Sequence, residues 1–270
     1  MRKDVLGKDY SLLEQKKLFL FDQDGTIYLD NELFDGVEEL LEKITNNGGN
    51  YVFITNNSSK SVSDYVKKLN SLGLSQVTEN NFFTSTQASA ILFKQKFADK
   101  LVYAQGTKSF IAELKNSGLN VTEQYTDEAC AVLVGFDTEL NMEKLRITCK
   151  MLTKHDIPYY ATNPDWVCPV DFGYIPDCGS MCFGIEKATG KAPIFIGKPM
   201  PEMIYSAMQK FGATKEQTVV FGDRLYTDIA SGVNAGVDTV FVLSGEATMK
   251  DLEVSQVKPT FVLNSVKDLL

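Results

Sequence analysis

Short apolar runs without polar alternation recur along the chain and alternate with helix-like segments. In the first of them, Leu18–Phe21, every residue is apolar, and Tyr51–Thr55 is nearly so. Strands that are apolar on both faces must be covered on both faces, which is typical of a parallel sheet between helices. The pattern therefore predicts a doubly wound α/β fold. The predicted strands are Leu18–Phe21, Tyr51–Thr55, Leu101–Ala104, Ala131–Val134, Pro158–Ala161, Ile194–Ile196, Thr218–Phe221 and Thr239–Leu243.

The segments between these strands carry apolar residues at helical spacing. Val37–Thr45 is the clearest case, because its apolar residues recur at positions i, i+3, i+4 and i+7. Those residues are Val37, Leu40, Leu41 and Ile44. Further predicted helices are Ser63–Leu72, Phe110–Lys115, Met142–Lys154, Glu202–Phe211 and Leu252–Val257.

The chain is long enough for two domains, since its 270 residues exceed the roughly 100–200 that are usual for one. No linker or low-complexity segment marks a boundary. The middle of the chain nevertheless has a strand and helix pattern of its own. We therefore predict a core domain of residues 1–97 plus 192–270, with a second α/β domain, residues 98–191, inserted into it.

The composition argues against several classes of protein. The net charge of -8, from 27 basic and 35 acidic residues, disfavours binding to a nucleic-acid polymer. It also means that an anionic substrate needs a few local cations. The chain has 5 cysteines without a CxxC pair, and its single histidine, His155, lies in a polar stretch. A zinc site is therefore not expected.

Neither a membrane anchor nor an export signal is visible in the sequence. Residues 1–15 are polar and mixed in charge, without an apolar signal core. The longest apolar runs fall far short of the ~20 residues that a spanning helix needs. We therefore expect a cytoplasmic protein that does not act at a membrane.

Two acidic residues follow directly on the first predicted strand. Asp22 and Asp24 stand two positions apart, so a continuing strand would project both side chains from the same side. Gly25 then allows a sharp turn. Because neighbouring carboxylates repel each other, this pair needs a cation or a shared proton, and a hard divalent cation, chiefly Mg²⁺, is the natural partner. An ordinary turn with Asp22 as a helix cap explains the same residues about as well.

Polar residues also follow two other predicted strands. Thr55 opens a run of hydroxyl and amide side chains, 55–59, that offers hydrogen-bond donors to an anion; helix capping is the alternative. Lys198 follows a short apolar strand and a glycine, where it can supply positive charge to a phosphate. Taken alone, neither run specifies a function.

A further pair of acids follows the strand Thr218–Phe221. Asp223 comes two residues after it, and Asp228 lies five residues further on. From the first turn of the next helix, Asp228 can reach back toward the same centre as Asp223. Small residues in 230–236 allow that helix to pack closely on the sheet. A structural helix cap at Asp228 is the alternative.

The four runs become specific as a set, because each follows a predicted strand and together they occur in a defined order. They read DxDGT, TNNS, GKP and GDRxxTDIxxGxxAG. This set resembles the four motifs of the haloacid dehalogenase superfamily of phosphohydrolases. It is similar to the branch with a large α/β cap, which includes NagD-like and p-nitrophenyl phosphatase proteins. The resemblance covers nearly the whole chain and implies a Rossmann-like core with the cap inserted between Thr55 and Lys198.

The resemblance implies a role for each acid of the first motif. Asp22 would be the nucleophile that attacks phosphorus. Asp24 would protonate the leaving alcohol and then deprotonate the water that hydrolyses the aspartyl-phosphate. Dehalogenases of this superfamily lack the second acid, because a halide leaves without a proton. The presence of Asp24 therefore favours a phosphatase.

The resemblance also implies which groups bind phosphate and metal. The phosphoryl oxygens would be bound by Thr55, Lys198 and the N–H groups of Asn56 and Asn57. Mg²⁺ would be held by Asp22, the backbone carbonyl of Asp24, Asp223 and, in support, Asp228. In the cap, a loop with Asp165, Trp166 and Cys168 would reach the substrate. Trp166 can stack on a planar substrate or pack within the cap core.

These observations together predict a Mg²⁺-dependent phosphatase that hydrolyses small phosphate monoesters through an aspartyl-phosphate. Candidate substrates are p-nitrophenyl phosphate, a sugar phosphate, a nucleotide or a phosphoglycolate-like compound. The expected partners are a small phosphorylated metabolite and, because caps in this branch often pair, a second copy of the chain. Two alternatives remain open, namely phosphoryl transfer to another acceptor and a non-catalytic regulator that binds a phosphorylated metabolite. No GxGxxG follows the first strand, which argues against a dinucleotide enzyme.

Overall fold

The structure is a computed structural model that describes residues 2–170 and 172–270. Its strands, in chain order, are β1 (Leu18–Phe21), β2 (Tyr28–Leu29), β3 (Glu32–Leu33), β4 (Asn50–Thr55), β5 (Phe82–Thr84), β6 (Val102–Gln105), β7 (Val121–Thr122), β8 (Val132–Val134), β9 (Tyr159–Ala161), β10 (Val167–Val170), β11 (Gly173–Pro176), β12 (Ile194–Phe195), β13 (Thr218–Gly222), β14 (Asp238–Val242) and β15 (Phe261–Leu263). The α-helices are α1 (Val37–Asn46), α2 (Val62–Ser71), α3 (Ser85–Phe97), α4 (Lys108–Asn116), α5 (Met142–Lys154), α6 (Cys178–Thr189), α7 (Glu202–Phe211), α8 (Ala230–Ala235) and α9 (Met249–Val254).

The chain forms two compact units. The first contains the chain up to Thr55, together with Tyr65–Phe83 and Lys198–Leu270. The second contains Asn56–Asp64 and Thr84–Gly197. These bounds differ from the core of 1–97 plus 192–270 and the insertion of 98–191 expected from the sequence, because α3 and the segments 56–64 and 192–197 lie in the second unit.

The placement of α3 has a physical reason that an apolar pattern does not reveal. Its buried face consists largely of small and hydroxyl-bearing residues. The Ser85 hydroxyl donates to the backbone carbonyl of Asn56 at 2.7 Å, and the Ser89 hydroxyl donates to the carbonyl of Ser85 at 2.7 Å. Hydrogen bonds of this kind allow polar side chains to be buried, so α3 packs in the second unit without a strong apolar stripe.

The first unit is built on a six-stranded sheet in the order β15-β14-β13-β1-β4-β5. The neighbouring pairs from β15 to β4 are parallel. All four residues of β1 are buried, and the Phe21 ring stacks on Phe221 of β13 with ring centroids 4.7 Å apart. The strand order reverses between β1 and β13, since β4 and β5 extend the sheet on one side of β1 and β13 to β15 on the other. Ligands of open α/β sheets bind at such a point.

The second unit has a parallel sheet of its own, in the order β12-β9-β8-β6-β7. Strands β10 and β11 form a separate antiparallel hairpin. Buried side chains from α5 and α6, such as Met151 and Ile185, pack in one core cluster with Val132 and Val134 of β8. The predicted fold class, a doubly wound α/β core with an additional α/β unit, is confirmed.

The predicted elements match the structure closely, with one clear shift. Each of the eight predicted strands overlaps an observed one, and the predicted face of α1 is buried. The last predicted helix, Leu252–Val257, was placed too late, because α9 spans Met249–Val254. Thr248 and Asp251 form a capping box that fixes its start. Among the described residues, the helices are all too short or too polar to cross a membrane.

Candidate active site

Two acids stand at the carboxyl ends of the neighbouring strands β1 and β13, where the strand order reverses. Asp22 follows β1, and its backbone N–H donates to the carbonyl of Phe221 at 2.9 Å. Asp223 follows β13 directly. Because β1 and β13 are parallel with Phe21 opposite Phe221, both acids leave the sheet at the same edge.

A third acid joins them from the following turn. Leu225–Ile229 forms a turn of π-helix that leads into α8, and Asp228 lies within it. The backbone N–H of Arg224 donates to Asp228 Oδ2 at 3.1 Å, which fixes the start of that turn. Asp22, Asp223 and Asp228, here called the acid cluster, each offer a carboxylate oxygen, and these oxygens lie within 4.8 Å of one another.

One lysine is inserted between two members of the acid cluster. Lys198 is 3 % exposed, and its Nζ lies 2.6 Å from Asp22 Oδ1 and 2.6 Å from Asp228 Oδ1. Burial lowers the pKa of Lys198, but the negative charges of Asp22 and Asp228 outweigh burial and leave the pKa raised. The ammonium group is therefore charged at neutral pH and neutralises part of the cluster.

The acid cluster still carries more negative charge than its surroundings neutralise. Burial, followed by the charges of Asp22 and Asp228, raises the pKa of Asp223 to about 8. Burial and the charge of Asp22 likewise raise the pKa of Asp228 to about 6. In the described part of the chain, the buried Asp223 Oδ1 has no hydrogen-bond partner. Converging carboxylates with an unused oxygen fit a hard divalent cation such as Mg²⁺.

Glycines leave the space that the acid cluster occupies. A Cβ atom on Gly25 would lie 2.4 Å from Asp223 Oδ2, and one on Gly245 would lie 2.1 Å from the same oxygen. On Gly222, a Cβ atom would lie 2.2 Å from Asp228 Cβ. Gly25 also has a φ of 79°, in the left-handed region that glycine adopts readily. A larger residue at any of the three positions would displace a carboxylate.

The loop after β14 completes the surroundings of Asp223, and the sequence analysis did not identify it. The Glu246 N–H donates to Asp223 Oδ2 at 2.7 Å, and the Ser244 hydroxyl donates to the Gly25 carbonyl at 2.7 Å. Glu246 also pairs with Arg224 at 2.9 Å. A usable signal existed: β14 was predicted as a strand, and the carboxyl ends of parallel strands share one edge of a sheet.

Comparison with known proteins places this arrangement in a family. A model of haloacid dehalogenase-like hydrolases matches residues 19–120, and a second, HAD-hydrolase-like model matches residues 195–269. An acid sugar phosphatase of Staphylococcus aureus is 31% identical over 258 residues, which are 95% of this chain and 96% of that protein.

The chain belongs to the haloacid dehalogenase-like hydrolases.

Solved structures of this family resemble the chain over nearly its whole length. The 4-nitrophenylphosphatase of Thermotoga maritima has a TM-score of 0.90 and 37% identity, covering 96% of this chain and 98% of that one. A glycerol phosphate phosphatase of Mycobacterium tuberculosis, in complex with magnesium, has a TM-score of 0.90 and 26% identity, covering 97% and 78%. The predicted NagD-like branch and the enzyme class, a phosphoric monoester hydrolase, are confirmed.

Asp24, the second acid of the first hydrolase motif, lies outside the acid cluster. Its side chain is 57% exposed, and its Oδ1 is 3.9 Å from Lys68 Nζ. The hydroxyl of Tyr28 lies 3.5 Å from the Oδ2 atom. This position, next to solvent, differs from that of the buried acids and suits a group that exchanges protons. Its roles as acid, base and carbonyl ligand stay predictions.

The residues predicted to bind phosphate fall in both units. Thr55 ends β4 in the first unit and is buried. In the second unit, Asn56 Nδ2 donates to Asp165 Oδ2 at 3.0 Å, and Asn57 Oδ1 accepts from the Ser59 N–H at 3.0 Å. Contacts of Thr55, Asn56 and Asn57 with a phosphoryl group stay predictions, while Lys198 lies at the acid cluster.

The three residues of the predicted cap loop have different surroundings. Asp165 is buried and accepts from both Asn56 and Asn163 at 3.0 Å. Trp166 is 59% exposed and meets the Phe183 ring edge-on, with centroids 5.7 Å apart, so it is not packed within the core. Cys168 is half-buried on β10. Contact of this loop with substrate stays a prediction.

Proposed function

We propose that this hydrolase is a Mg²⁺-dependent phosphatase of small phosphate monoesters, with Asp22 as the nucleophile. The observation that carries the proposal is the acid cluster with Lys198 inserted between Asp22 and Asp228. A nucleophilic carboxylate, a fixed positive charge and further carboxylates for a metal ion are the groups that phosphoryl transfer requires.

The residues that would hold Mg²⁺ are Asp22, Asp223 and Asp228, with the backbone carbonyl of Asp24. The raised pKa of Asp223 and its unpartnered Oδ1 support this assignment. The related glycerol phosphate phosphatase of Mycobacterium tuberculosis is in complex with magnesium. A bound Mg²⁺ ion would supply positive charge that offsets the repulsion between a carboxylate and a phosphate dianion.

The proposed reaction has two steps. In the first, Asp22 forms a bond to phosphorus while the bond to the leaving oxygen breaks, and Asp24 gives that oxygen a proton. Lys198 would neutralise a phosphoryl oxygen, and its raised pKa keeps it charged for this purpose. In the second, Asp24 takes a proton from water, which attacks phosphorus and releases phosphate from Asp22. Both carboxylates then return to their starting forms.

The names of the relatives indicate where to search for the substrate. An acid sugar phosphatase, a 4-nitrophenylphosphatase and a glycerol phosphate phosphatase are all similar to this chain. Their substrates share a phosphate monoester on a small organic group. We therefore propose a sugar phosphate or glycerol phosphate as the first candidates, ahead of nucleotides and phosphoglycolate.

The test is hydrolysis of p-nitrophenyl phosphate and a panel of these phosphates, with Mg²⁺ and with EDTA. We expect turnover that EDTA abolishes and that Asp22→Asn lowers by at least about 10³-fold, because the variant lacks the nucleophile. Asp35→Asn makes the same chemical change at an exposed acid and is expected to match the wild type.

Two results would contradict the proposal. Turnover that persists in folded Asp22→Asn would exclude an aspartyl-phosphate on Asp22. Absence of turnover across the whole panel, with the wild type folded and Mg²⁺ present, would instead favour a regulator that binds a phosphorylated metabolite. Transfer of phosphate to an added alcohol, with little release of inorganic phosphate, would instead favour a phosphotransferase.

A further inference from the structure

The two carboxylate oxygens of Asp24 have different neighbours, the ammonium group of Lys68 and the phenol hydroxyl of Tyr28. Lys68, on α2, places its Nζ 3.9 Å from Asp24 Oδ1. The hydroxyl of Tyr28 lies 3.5 Å from Asp24 Oδ2 and 3.3 Å from Gln23 Oε1. All four residues belong to the first unit. The exposed acid is therefore contacted from two directions by groups of its own unit.

Lys68 is itself held in place by Tyr28. Its Nζ lies 3.8 Å from the centroid of the Tyr28 ring, a cation–π distance. Tyr28 is almost fully buried, so the ring is a fixed platform for the ammonium group. The Lys68 side chain is 26% exposed, and is therefore less free than a surface lysine. A lysine that only improved solubility would not need this support.

We propose that Lys68 is a positioning residue, which holds the Asp24 carboxylate in the orientation it needs to take a proton from the attacking water. The inference rests on the proposed function, since it concerns the second step of that reaction. Lys68 transfers no proton and stays charged throughout. Its effect should be confined to hydrolysis of the aspartyl-phosphate, because Asp24 acts there as a carboxylate, the form that an ammonium group attracts.

p-Nitrophenyl phosphate separates the two steps. Its leaving group is a stable phenolate that departs without needing a proton, so the first step depends little on Asp24. The second step still needs Asp24 as a base. A defect in the second step makes the phosphorylated enzyme accumulate and leaves kcat/KM unchanged, and once this step limits turnover it lowers kcat and KM together. A general structural defect lowers kcat/KM instead.

The experiment measures steady-state kcat and KM for p-nitrophenyl phosphate with saturating Mg²⁺ in Lys68→Met, with an acid quench to trap phosphorylated protein. We expect kcat and KM to fall together by about five-fold, the upper range for one partly exposed ion pair, with more phosphorylated enzyme trapped. Lys67→Met removes the same charge from an exposed position of the same helix and should behave as the wild type. Lys68→Arg should recover most of the loss.

Several outcomes would overturn the proposal. One is a Lys68→Met variant with the same kcat and the same amount of trapped phosphorylated enzyme as Lys67→Met. Another is a fall in kcat/KM as large as the fall in kcat, with no gain in trapped phosphorylated enzyme. If Lys68→Met does not fold, Lys68→Gln is measured in its place and should show the same split. If the wild type is active but the Lys68 variants do not show the joint fall in kcat and KM, only the role of Lys68 is excluded. An inactive wild type would exclude the proposed function as well.

Discussion

Two buried polar groups of this hydrolase differ in how their carboxylates are satisfied. In the first unit, the acid cluster brings three carboxylates together with one lysine. In the second unit, Asp165 and Asp177 lie in an amide network with Asn56 and Asn163, whose side-chain amides donate to them at 3.0 Å. In each group one buried carboxylate oxygen, Asp165 Oδ1 or Asp223 Oδ1, has no hydrogen-bond partner among the described residues. The groups differ because side-chain amides donate to Asp165 and Asp177, whereas the acid cluster brings carboxylates against one another with one lysine.

The difference distinguishes a structural role from a functional one. Side-chain amides donate hydrogen bonds to a carboxylate without a bound ion, as expected of groups that hold segments of chain together. Burial, followed by the charge of neighbouring carboxylates, raises the pKa of Asp223 and Asp228, and negative charge in such a site is costly unless a cation is bound. Strongly perturbed carboxyl groups in such a site are typical of catalytic centres.

The largest effect expected from this comparison follows from removing one charge in each group. Asp223→Asn should lower Mg²⁺-dependent turnover by about 100-fold or more, because a bound ion is worth several kcal/mol and each ~1.4 kcal/mol is a factor of ten. The same change at Asp165 keeps an oxygen that can accept from Asn56 and Asn163. The Mg²⁺ concentration for half-maximal turnover should therefore be unchanged in Asp165→Asn.

A titration of activity with Mg²⁺ in both variants checks this prediction. Asp165→Ala extends it, since loss of the acceptor removes one hydrogen bond from each of the two amides, Asn56 and Asn163, and should cost about 1–3 kcal/mol of stability. If Asp165→Asn shifted the Mg²⁺ dependence as strongly as Asp223→Asn, the two groups would not differ in the way we infer.

The second effect concerns pH. The pKa of the Asp223 carboxyl group is raised from its ordinary value of 3.8 to about 8. At a pH between these two values, the group holds a proton in the folded protein that the unfolded chain has lost. In EDTA, the free energy of unfolding should therefore fall as pH rises from 5 to 8, by at most about 4 kcal/mol for this group. Asp228, with its pKa raised to about 6, should add to the fall over the lower part of that window.

Thermal unfolding at several pH values in EDTA measures this dependence. Asp223→Asn cannot lose the proton, so its profile should be flatter than that of the wild type. Mg²⁺ binds the deprotonated, folded form and should restore stability at pH 8 more than at pH 5. A wild-type profile as flat as that of the variant would mean that the folded acid cluster does not retain protons.

The sequence predicted those parts of the site that stand directly on strand ends. Asp22 and Asp223 follow runs of apolar residues, and the parallel sheet brings the ends of β1 and β13 together. Asp228 was placed correctly beside them because it follows Asp223 at a distance that one turn can span. Such predictions need only local pattern and the geometry of a parallel sheet.

The parts that the sequence did not predict depend on long-range contacts between polar groups. The 244–246 loop contacts Asp223 through a backbone N–H, which leaves no trace in residue type. In helix α3, the Ser85 hydroxyl donates to the Asn56 carbonyl of the second unit, and the polar composition of the helix concealed a buried face. Lys68 reaches Asp24, in the turn after β1, from helix α2. Apolar periodicity is a signal of burial in apolar surroundings and carries no information about such contacts.

The smallest effect we predict tests whether the acid cluster depends on close backbone approach. Gly245→Ala would place a Cβ atom 2.1 Å from Asp223 Oδ2, so the carboxylate must move. Changes to groups that orient metal ligands typically cost 10–100-fold in metal affinity, and we expect about ten-fold weaker Mg²⁺ activation.

Gly184→Ala is the matched control, because in α6 of the second unit its Cβ atom would meet nothing within 4 Å. It should leave Mg²⁺ activation unchanged and stabilise the protein by about 0.5–1 kcal/mol, as alanine does within a helix. Equal Mg²⁺ activation in the two variants would mean that Asp223 tolerates displacement, and that the backbone around the acid cluster need not be as closely packed as the structure has it.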